Sequence, residues 1–401
     1  MLLDWQRRQE LFTRTNMNHA MLRTSLNNGS WNLRPEPIVP PTGLDPVDFA
    51  ALVLMRTEAE RLLSARTYSI GANTTGLAVA TTAGSSPKEK ISVQRPPSPC
   101  GLMVFADPIG SDAEIYGATD GTFVEIHTPI VAVSWSLWDG TQSEAAGATY
   151  PLIWFRQNPD GNPVPLPPEL RGIWMTFYAP RTADQVGLDP EQTVAVGPDG
   201  SPITARQAAA VDRAFQQRTP ELWGPLGWHN EIVLPEGGTF SETTRSGTVQ
   251  RWAATVYTVW QIMQQTGRQQ LVETRTAAVP PKARKKAEAK ARQLGQPPVG
   301  DGVVRVVDLA APAQPSKQAA ANDAAASDGR RTVEWSCRWP VPPYRRSTCL
   351  NPHLHRKLGD DALRHHEHRD DVVPLTIKGP KDKPLRMRGG TTFTFDGPRE
   401  S

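Results

Sequence analysis

The sequence has little cysteine and no long apolar run. Its 401 residues contain three Cys, too few for a disulfide framework, which predicts a reducing and therefore cytoplasmic location. The segment Met1–Arg8 turns polar at once, so no secretory signal is expected, and no apolar run approaches the ~20 residues that cross a bilayer. We therefore expect a soluble protein that has no membrane partner.

The motifs of many common enzymes and DNA-binding modules are also absent. The chain has no phosphate-binding loop, no glycine fingerprint for a dinucleotide, no HExxH zinc motif and no G-x-S-x-G nucleophile elbow. Helix-turn-helix and zinc-finger patterns are missing as well. No catalytic motif assigns a reaction, so a non-enzymatic function is the leading expectation.

Proline, tryptophan and an uneven charge distribution are what the sequence does have. Its 38 Pro and 31 Gly predict many turns and loops, whereas its 12 Trp predict a core, because large aromatic rings are usually buried. Residues 281–401 carry 23 Lys and Arg against 14 Asp and Glu, whereas residues 1–280 carry 21 against 27. A basic third on an acidic body favours an anionic partner such as DNA or RNA, although the two parts may also pack together.

Hydrophobic periodicity predicts the helices and strands. Helices are expected at 4–14, Pro46–Ala65, 204–219, Ser246–Gln265 and Lys282–Arg292, with Glu58, Glu60 and Arg61 facing water, and a loop at Asn16–Thr42. Strands are expected at Gly101–Ala106, Phe123–His127, Ile130–Leu137, Pro151–Phe155, Gly172–Tyr178, Val303–Leu309, Thr332–Trp339, Val372–Lys378 and Thr391–Phe395. Since no long helix separates most successive strands, antiparallel pairing is favoured.

These elements predict an α+β fold: a mainly antiparallel sheet covered by helices, with a small C-terminal β unit and a disordered linker. The expected divisions are an N-terminal extension at 1–42, an α+β body at 43–265, a basic helical connector at 266–300 and a basic C-terminal β unit at 301–401. Within that unit, which includes Val303–Leu309, the Ala-, Pro- and Ser-rich segment 310–329 has too little apolar surface to offset the entropy of ordering.

Aromatic rings and cations occur together in the basic third. The residues expected to contact nucleic acid are Arg338, Trp339, Tyr344, Arg345, Arg346 and Lys378, joined by Lys282, Arg284, Lys285 and Lys286. Cations neutralise phosphates and aromatic faces stack on bases, so we expect one compact cationic face, with Thr332–Trp339 paired to Val372–Lys378. The alternative is that the Trp rings pack a small core and the basic run is a solvated helix.

Cysteine and histidine are concentrated in the same region. Cys337, Cys349, His353 and His355 offer natural zinc ligands, so zinc or another divalent metal is one hypothesis. The closely spaced Cys pair of structural zinc sites is missing, and a half-buried Cys337 with exposed histidines is the alternative. The His and Asp residues between 353 and 371 favour a second function, a metal-dependent hydrolase or nuclease. A protein–protein interaction module is the third.

Several segments of the chain resemble, in the same order, segments of other proteins. They are Pro97–Ile109, Val131–Trp135, Trp252–Met263, Val303–Leu309, Trp339–Arg346 and Ile377–Leu385. Through them the chain resembles uncharacterised proteins of actinobacteria and of their phages and plasmids. That group has His-Trp-Arg where this chain has Pro343, Tyr344 and Arg345, which weakens an enzymatic interpretation. The resemblance implies a mobile-element setting and no particular activity. Together with the basic and aromatic residues of the C-terminal third, this setting favours a nucleic-acid-associated accessory protein without a cofactor.

Overall fold

A computed structural model describes the folded elements of the chain. The described residues are 2–27, 33–84, 86–117, 123–138, 140, 142–145, 148–157, 162–180, 191, 193–196, 201–218, 224, 226–241, 248–267, 270–278, 280–293, 302–310, 336–341, 344–350, 368–380, 383, 385–386 and 392–393. Apart from residue 310, the linker expected at 310–329 lies outside the described residues, as do residues 332–335 of the strand expected at Thr332–Trp339.

The helices mostly follow the sequence pattern. They are α1 (Leu2–Thr13), α2 (Asn16–Asn27), α3 (Pro46–Ser64), α4 (Ala72–Gly84), α5 (Ala205–Arg218), α6 (Val249–Met263) and α7 (Pro281–Gln293). Asp45 caps α3, since its Oδ1 accepts hydrogen bonds from the backbone N–H groups of Val47 at 2.8 Å and Asp48 at 3.3 Å. Pro46 begins that helix because its fixed φ suits the first turn.

The strands form one large sheet and several small ones. They are β1 (Leu33–Pro37), β2 (Arg66–Ile70), β3 (Cys100–Phe105), β4 (Gly110–Gly117), β5 (Phe123–Ile130), β6 (Ala132–Trp138), β7 (Gln142–Ala145), β8 (Ala148–Gln157), β9 (Pro163–Pro165), β10 (Gly172–Pro180), β11 (Thr193–Val196), β12 (Pro202–Thr204), β13 (Leu226–Pro235), β14 (Val272–Ala278), β15 (Val303–Leu309), β16 (Trp339–Val341), β17 (Tyr344–Cys349), β18 (His368–Val373), β19 (Thr376–Lys378), β20 (Leu385–Arg386) and β21 (Thr392–Phe393).

The large sheet has 7 strands in the order β13-β10-β6-β3-β2-β15-β14. Its strand β2 pairs in parallel with β3 and with β15, and the other neighbouring pairs are antiparallel. The fold is therefore α+β with a mixed, mainly antiparallel sheet, which confirms the predicted fold class.

Helices cover both faces of the large sheet because residues alternate along its strands. In β6, Val133 and Trp135 enter the core formed with α4 and α6, where the rings of Trp135 and Trp260 lie 5.2 Å apart. Trp138, on the other face of β6, belongs to a second core beneath α2 and α3. The sheet is thus the middle of three layers, with α3 on one side and α6 on the other.

The expected loop at Asn16–Thr42 contains both a helix and a strand. Helix α2 begins after Thr15, whose Oγ1 accepts a hydrogen bond from the N–H of Asn18 at 3.2 Å, and Leu22 and Leu26 are buried in the core beside α3. Strand β1 pairs antiparallel with β8 at the edge of a small sheet, where its prolines are tolerated. Tertiary packing overrides the weak local propensity, so the loop prediction is wrong.

Val303–Leu309 is a strand, as predicted, but it joins the large sheet and not the C-terminal β unit. Residues Val304–Val307 lie opposite Thr67–Ile70 of β2, and β14 pairs along the other side. Val307 is fully buried in the main core. A short Val-rich segment carries no local signal for its partner, which is why its assignment to residues 301–401 is wrong. Helix α7 therefore lies within the connection between two neighbouring strands of the body.

The C-terminal strands dock on this body. Trp339 lies opposite Lys378 in the antiparallel β16–β19 pair. The expected strands Thr332–Trp339 and Val372–Lys378 therefore pair at their last residues. Leu375, just before β19, is 2% exposed and belongs to the core that includes α6. Its backbone oxygen accepts a hydrogen bond from Gln265 Nε2 at 2.9 Å. Burying this leucine contributes about 1.5–3 kcal/mol to the attachment.

Candidate functional site

The residues expected to bind nucleic acid are divided between separate elements. The β16–β19 pair carries Trp339 and Lys378, and Lys378 is exposed. Arg338 precedes β16 and donates from Nε to the backbone oxygen of Lys383 at 2.9 Å. This strand pair therefore brings Arg338, Trp339 and Lys378 close together.

Gly379 makes the tight turn that follows Lys378. Its φ of +102° lies in the left-handed region that favours glycine. A Cβ atom at this position would approach the carbonyl oxygen of Cys337 to 2.6 Å. Glycine therefore allows this turn to approach the Cys337–Arg338 backbone closely, and any larger residue would clash with that backbone.

The β17–β18 pair carries the remaining aromatic and basic residues of the C-terminal set. Tyr344 is 42% exposed, and Arg346 is exposed, with its Nε donating to Thr348 Oγ1 at 3.2 Å. Arg345 lies between them in β17, opposite Val372 of β18. The exposed Tyr344 fits the expected stacking role.

Acidic residues accompany the cations of this second pair. Asp371 lies directly opposite Arg346, and its Oδ1 forms an ion pair with Arg369 Nε at 3.0 Å. Because Asp371 lies beside both arginines, it lowers the local positive potential. The positive charge of the β17–β18 pair is therefore offset more than the positions of its arginines in the sequence indicate.

Helix α7 contains the basic run predicted from the sequence. Lys282, Lys285 and Arg292 are exposed, and Glu288, the one acidic residue of the helix, is half-buried. Its sequence also includes Arg284, Lys286 and Lys290. The helix follows β14, an edge strand of the large sheet, and precedes β15, so it extends from the end of that strand pair.

Three lysine positions of α7 share one side of the helix by their spacing. Lys282, Lys286 and Lys290 occupy positions i, i+4 and i+8, which lie along one side of a helix. At 1.5 Å per residue these positions extend over about 12 Å. Lys285 lies beside this row, because helical positions three apart are neighbours.

Helix α7 and the residue that holds the C-terminal strands flank β14 on opposite sides in the sequence. Gln265, which holds Leu375, comes shortly before the start of β14, whereas α7 follows the end of that strand. The 7 residues of β14 extend over roughly 20 Å. The expected single compact cationic face stays a prediction.

Only some of the residues in the metal hypothesis are described by the structure. Cys337 and Cys349 are half-buried thiols outside any disulfide bond, whereas His353 and His355 lie outside the described residues. The 353–371 cluster is described only from residue 368 onwards. Among the described residues, no group of three or more His, Cys, Asp or Glu side chains is arranged to hold a metal ion. The zinc and hydrolase hypotheses stay predictions.

A polar cluster that the sequence analysis missed lies between α3 and the large sheet. Glu58 and Arg61 were expected to face water, but Glu58 is 0% exposed and Arg61 is 3% exposed. Their side chains form an ion pair, with Arg61 Nη1 at 2.8 Å from Glu58 Oε2. Glu60, between them, is exposed as expected. The prediction for the buried pair is wrong because apolar residues occupy most sides of α3, so the helix is buried on more than one face.

The sheet supplies the other half of the cluster. Thr176 of β10 lies directly opposite Ser134 of β6 and Glu231 of β13, so these residues form a row across three adjacent strands. Residues directly opposite in a sheet share a face, and this row faces α3. Arg61 Nη1 donates to Thr176 Oγ1 at 2.7 Å and to Ser134 Oγ at 3.3 Å. One guanidinium group thereby joins the helix to two strands.

Glu58 is held by hydroxyl groups as well as by Arg61. Its Oε1 accepts hydrogen bonds from Ser134 Oγ at 2.8 Å and from the Tyr178 hydroxyl. Burial raises the pKa of Glu58, and the positive charge of Arg61 opposes that increase. Burial and the nearby Glu58 raise the pKa of Tyr178 well above its usual range, so Tyr178 acts as a neutral donor.

Glu231 is the second buried carboxyl group of the cluster. Its Oε2 accepts a hydrogen bond from Trp174 Nε1 at 2.7 Å, and the guanidinium carbon of Arg61 lies 4.2 Å from the centroid of the Trp174 ring. Burial raises the pKa of Glu231 to about 8. The Nε and Nη2 atoms of Arg61 donate to no hydrogen-bond acceptor among the described residues, so the aromatic ring of Trp174 stabilises that side of the cation.

Cys100 of β3 contacts the C-terminal part of α3 at this interface. Its Sγ donates to the backbone oxygen of Arg61 at 3.2 Å and receives a longer contact from Ser64 Oγ at 3.5 Å. Burial raises the pKa of the Cys100 thiol. A thiol that stays protonated is a poor nucleophile, so Cys100 has a packing role in this fold.

A histidine–aspartate pair lies at an irregularity in the sheet. The register of β10 and β13 shifts between Phe177 and Tyr178, and the extra residue of β13 at this bulge is His229. His229 Nε2 lies 2.8 Å from Asp112 Oδ2, and its ring is 5.7 Å from that of Trp252. The aspartate therefore orients the imidazole.

The buried cluster left two signals in the sequence. Glu58 and Arg61 have the i, i+3 spacing of a helical ion pair within an apolar run, and Ser134, Thr176 and Glu231 are polar residues inside otherwise apolar strands. Only strand register and the position of α3, which are tertiary features, bring the two sets together.

No family model, curated protein or solved structure matches the chain. None of the described helices is both long and apolar enough to cross a membrane.

Proposed function

We propose that the chain binds nucleic acid without reading its sequence, and that α7 makes the principal contacts. The observation that carries this proposal is the density of cations on α7, which has six Lys and Arg residues and one acidic residue, Glu288. Lys282, Lys285 and Arg292 are exposed to solvent. Such a helix neutralises several phosphates at once, and the release of their counterions drives binding.

The composition of α7 favours a nucleic acid over an acidic protein. The helix contains Ala, Lys, Arg, Gln, Glu and Pro, and it lacks aromatic or large apolar residues. Protein interfaces have central aromatic and apolar anchors and are depleted of lysine. Phosphate binding needs only positive charge, and it supplies affinity without base recognition.

The C-terminal strands supply a second, weaker contact in this proposal. Lys378 and Tyr344 are exposed, and Trp339 lies beside Lys378 across a strand pair. A long nucleic acid can follow both regions, since an aromatic ring such as Tyr344 stacks on unpaired bases. A cytoplasmic location, in the setting of an actinobacterial phage or plasmid, forms part of the proposal.

The test compares two exposed helices that carry the same number of substituted charges. We expect the variant with Lys282, Lys285 and Arg292 replaced by Gln to bind a duplex DNA more weakly than the wild-type chain. The logarithm of the binding constant should depend less steeply on the logarithm of salt concentration, by about 2.7 for three lost phosphate contacts. Fluorescence anisotropy between about 50 and 200 mM salt measures both quantities.

Helix α5 provides the matched control. Arg206, Arg213 and Arg218 are exposed on that helix, and their replacement by Gln removes the same formal charge. The control variant should keep the wild-type salt slope if binding is local to α7. Equal losses in the two variants would show that only net charge matters, and unchanged binding by the α7 variant would exclude α7 as the contact.

A further inference from the structure

The buried cluster has an unequal number of acidic and basic groups. Glu58 and Glu231 supply two carboxyl groups to one guanidinium, that of Arg61, and all three side chains are shielded from solvent. With both carboxylates ionised, the cluster would hold an uncompensated negative charge in a medium of low polarity. Such a charge is strongly unfavourable, so the arrangement favours the uptake of one proton.

The surrounding groups determine which carboxyl group takes the proton. From α3, Arg61 forms its ion pair with Glu58, and from β6 and β10 the hydroxyl groups of Ser134 and Tyr178 donate to the same carboxylate. These contacts stabilise Glu58 in its ionised form.

Around Glu231, the effect of burial outweighs the groups that favour its ionised form. From β10, the side chains of Trp174 and Thr176 both hydrogen-bond to Glu231, and from β13 the neighbouring Asn230 is uncharged. The charged groups of α3 that act on it are the cation Arg61 and the anion Glu58, which oppose each other. The proton therefore belongs on Glu231.

We propose that Glu58, Arg61 and Glu231 form a buried proton-binding site between α3 and the large sheet, and that loss of its proton in mildly alkaline solution weakens this interface. With the proton on Glu231, the cluster is neutral: one carboxylate, one guanidinium and one carboxylic acid. When the proton leaves to solvent, a second carboxylate appears beside Glu58. The attachment of α3 then depends on pH.

The direction of the effect follows from proton linkage. The pKa of Glu231 is raised by burial to about 8, whereas in the unfolded chain a glutamate ionises at about 4.3. Between these values the folded chain binds more protons than the unfolded chain, so stability falls as pH rises. The stabilisation is complete below about pH 4 and is lost as pH rises through about 8.

The experiment uses the full chain with Glu231→Gln, in which a neutral amide replaces the protonated carboxyl group. Urea unfolding should show the variant gaining stability relative to the wild type as pH rises from about 5 to about 8. The ratio of their unfolding constants should change by up to about tenfold per pH unit. Glu60→Gln is the control, because Glu60 is exposed on the same helix and should not alter the pH profile.

Infrared spectroscopy of the wild-type chain provides a test that does not require a folded variant. At pH 6 the spectrum should contain the band of a protonated carboxylic acid, which disappears with a midpoint near pH 8. The absence of that band at pH 6 would overturn the proposal. Parallel stability profiles for wild type and a folded Glu231→Gln variant would also overturn it.

Discussion

Glu58 and Arg61 are three residues apart in α3, and their side chains meet at 2.8 Å in the interior of the protein. The pair attaches the helix to the large sheet through Ser134, Thr176 and Tyr178. Charged groups in a protein interior are stable only when each has its partners. This pair therefore makes the position of α3 on the sheet depend on a small number of polar contacts.

Removal of the cation should be far more damaging than removal of an exposed one. We expect Arg61→Ala to lower the free energy of unfolding by about 3–5 kcal/mol, because it leaves Glu58 buried without its counter-ion. Arg56 pairs with Glu60 on the exposed side of the same helix, so Arg56→Ala should cost less than about 1 kcal/mol. Urea unfolding near neutral pH measures both, and similar losses for the two variants would contradict a structural role for the buried pair.

The two basic regions should differ in their contribution to nucleic-acid binding. Replacement of Arg345 and Arg346 by Ala should weaken binding and its salt dependence, but less than the triple substitution in α7. The reason is that Asp371 lies opposite Arg346 and already reduces the positive potential there. Anisotropy titrations on single-stranded and duplex DNA give the comparison. A larger loss from the Arg345 and Arg346 variant would move the principal contact to β17.

The zinc hypothesis leads to a direct measurement of bound metal. If Cys337, Cys349, His353 and His355 form a site, the purified chain should retain about one zinc ion, held by thiolate and imidazole ligands. Replacement of Cys337 and Cys349 by Ser should then remove it. Cys100→Ser is the matched control, since Cys100 lies at the α3 interface, where its Sγ bonds the Arg61 carbonyl. Elemental analysis that finds no metal in the wild-type chain rejects the site.

Local sequence patterns predicted single elements well in this protein. The cap at Asp45, the apolar stripe of α6 and the Val-, Trp- and Phe-rich strands around β6 and β10 each depend on a few neighbouring residues. Each of these features depends on residues within one or two helical turns or within one strand, so the amino-acid sequence alone indicates it. The basic helix α7 was predicted for the same reason.

Features that depend on long-range contacts were not predictable from the sequence. The parallel pairing of β15 with β2 joins segments more than two hundred residues apart, and nothing in Val303–Leu309 specifies it. The burial of Glu58 and Arg61 likewise depends on the position of α3 over β6, β10 and β13. A charged residue on a helix usually faces water, and only the tertiary packing shows that these two do not.

The place of β15 also has a consequence for how the chain acquires its structure during synthesis. Strand β2 emerges from the ribosome early, whereas β15, one of its two neighbouring strands, begins only at Val303. Until that segment appears, β2 leaves a row of unsatisfied backbone groups that other chains can pair with. A fragment that ends after α6 should therefore aggregate, whereas one that extends through Leu309 should remain dispersed.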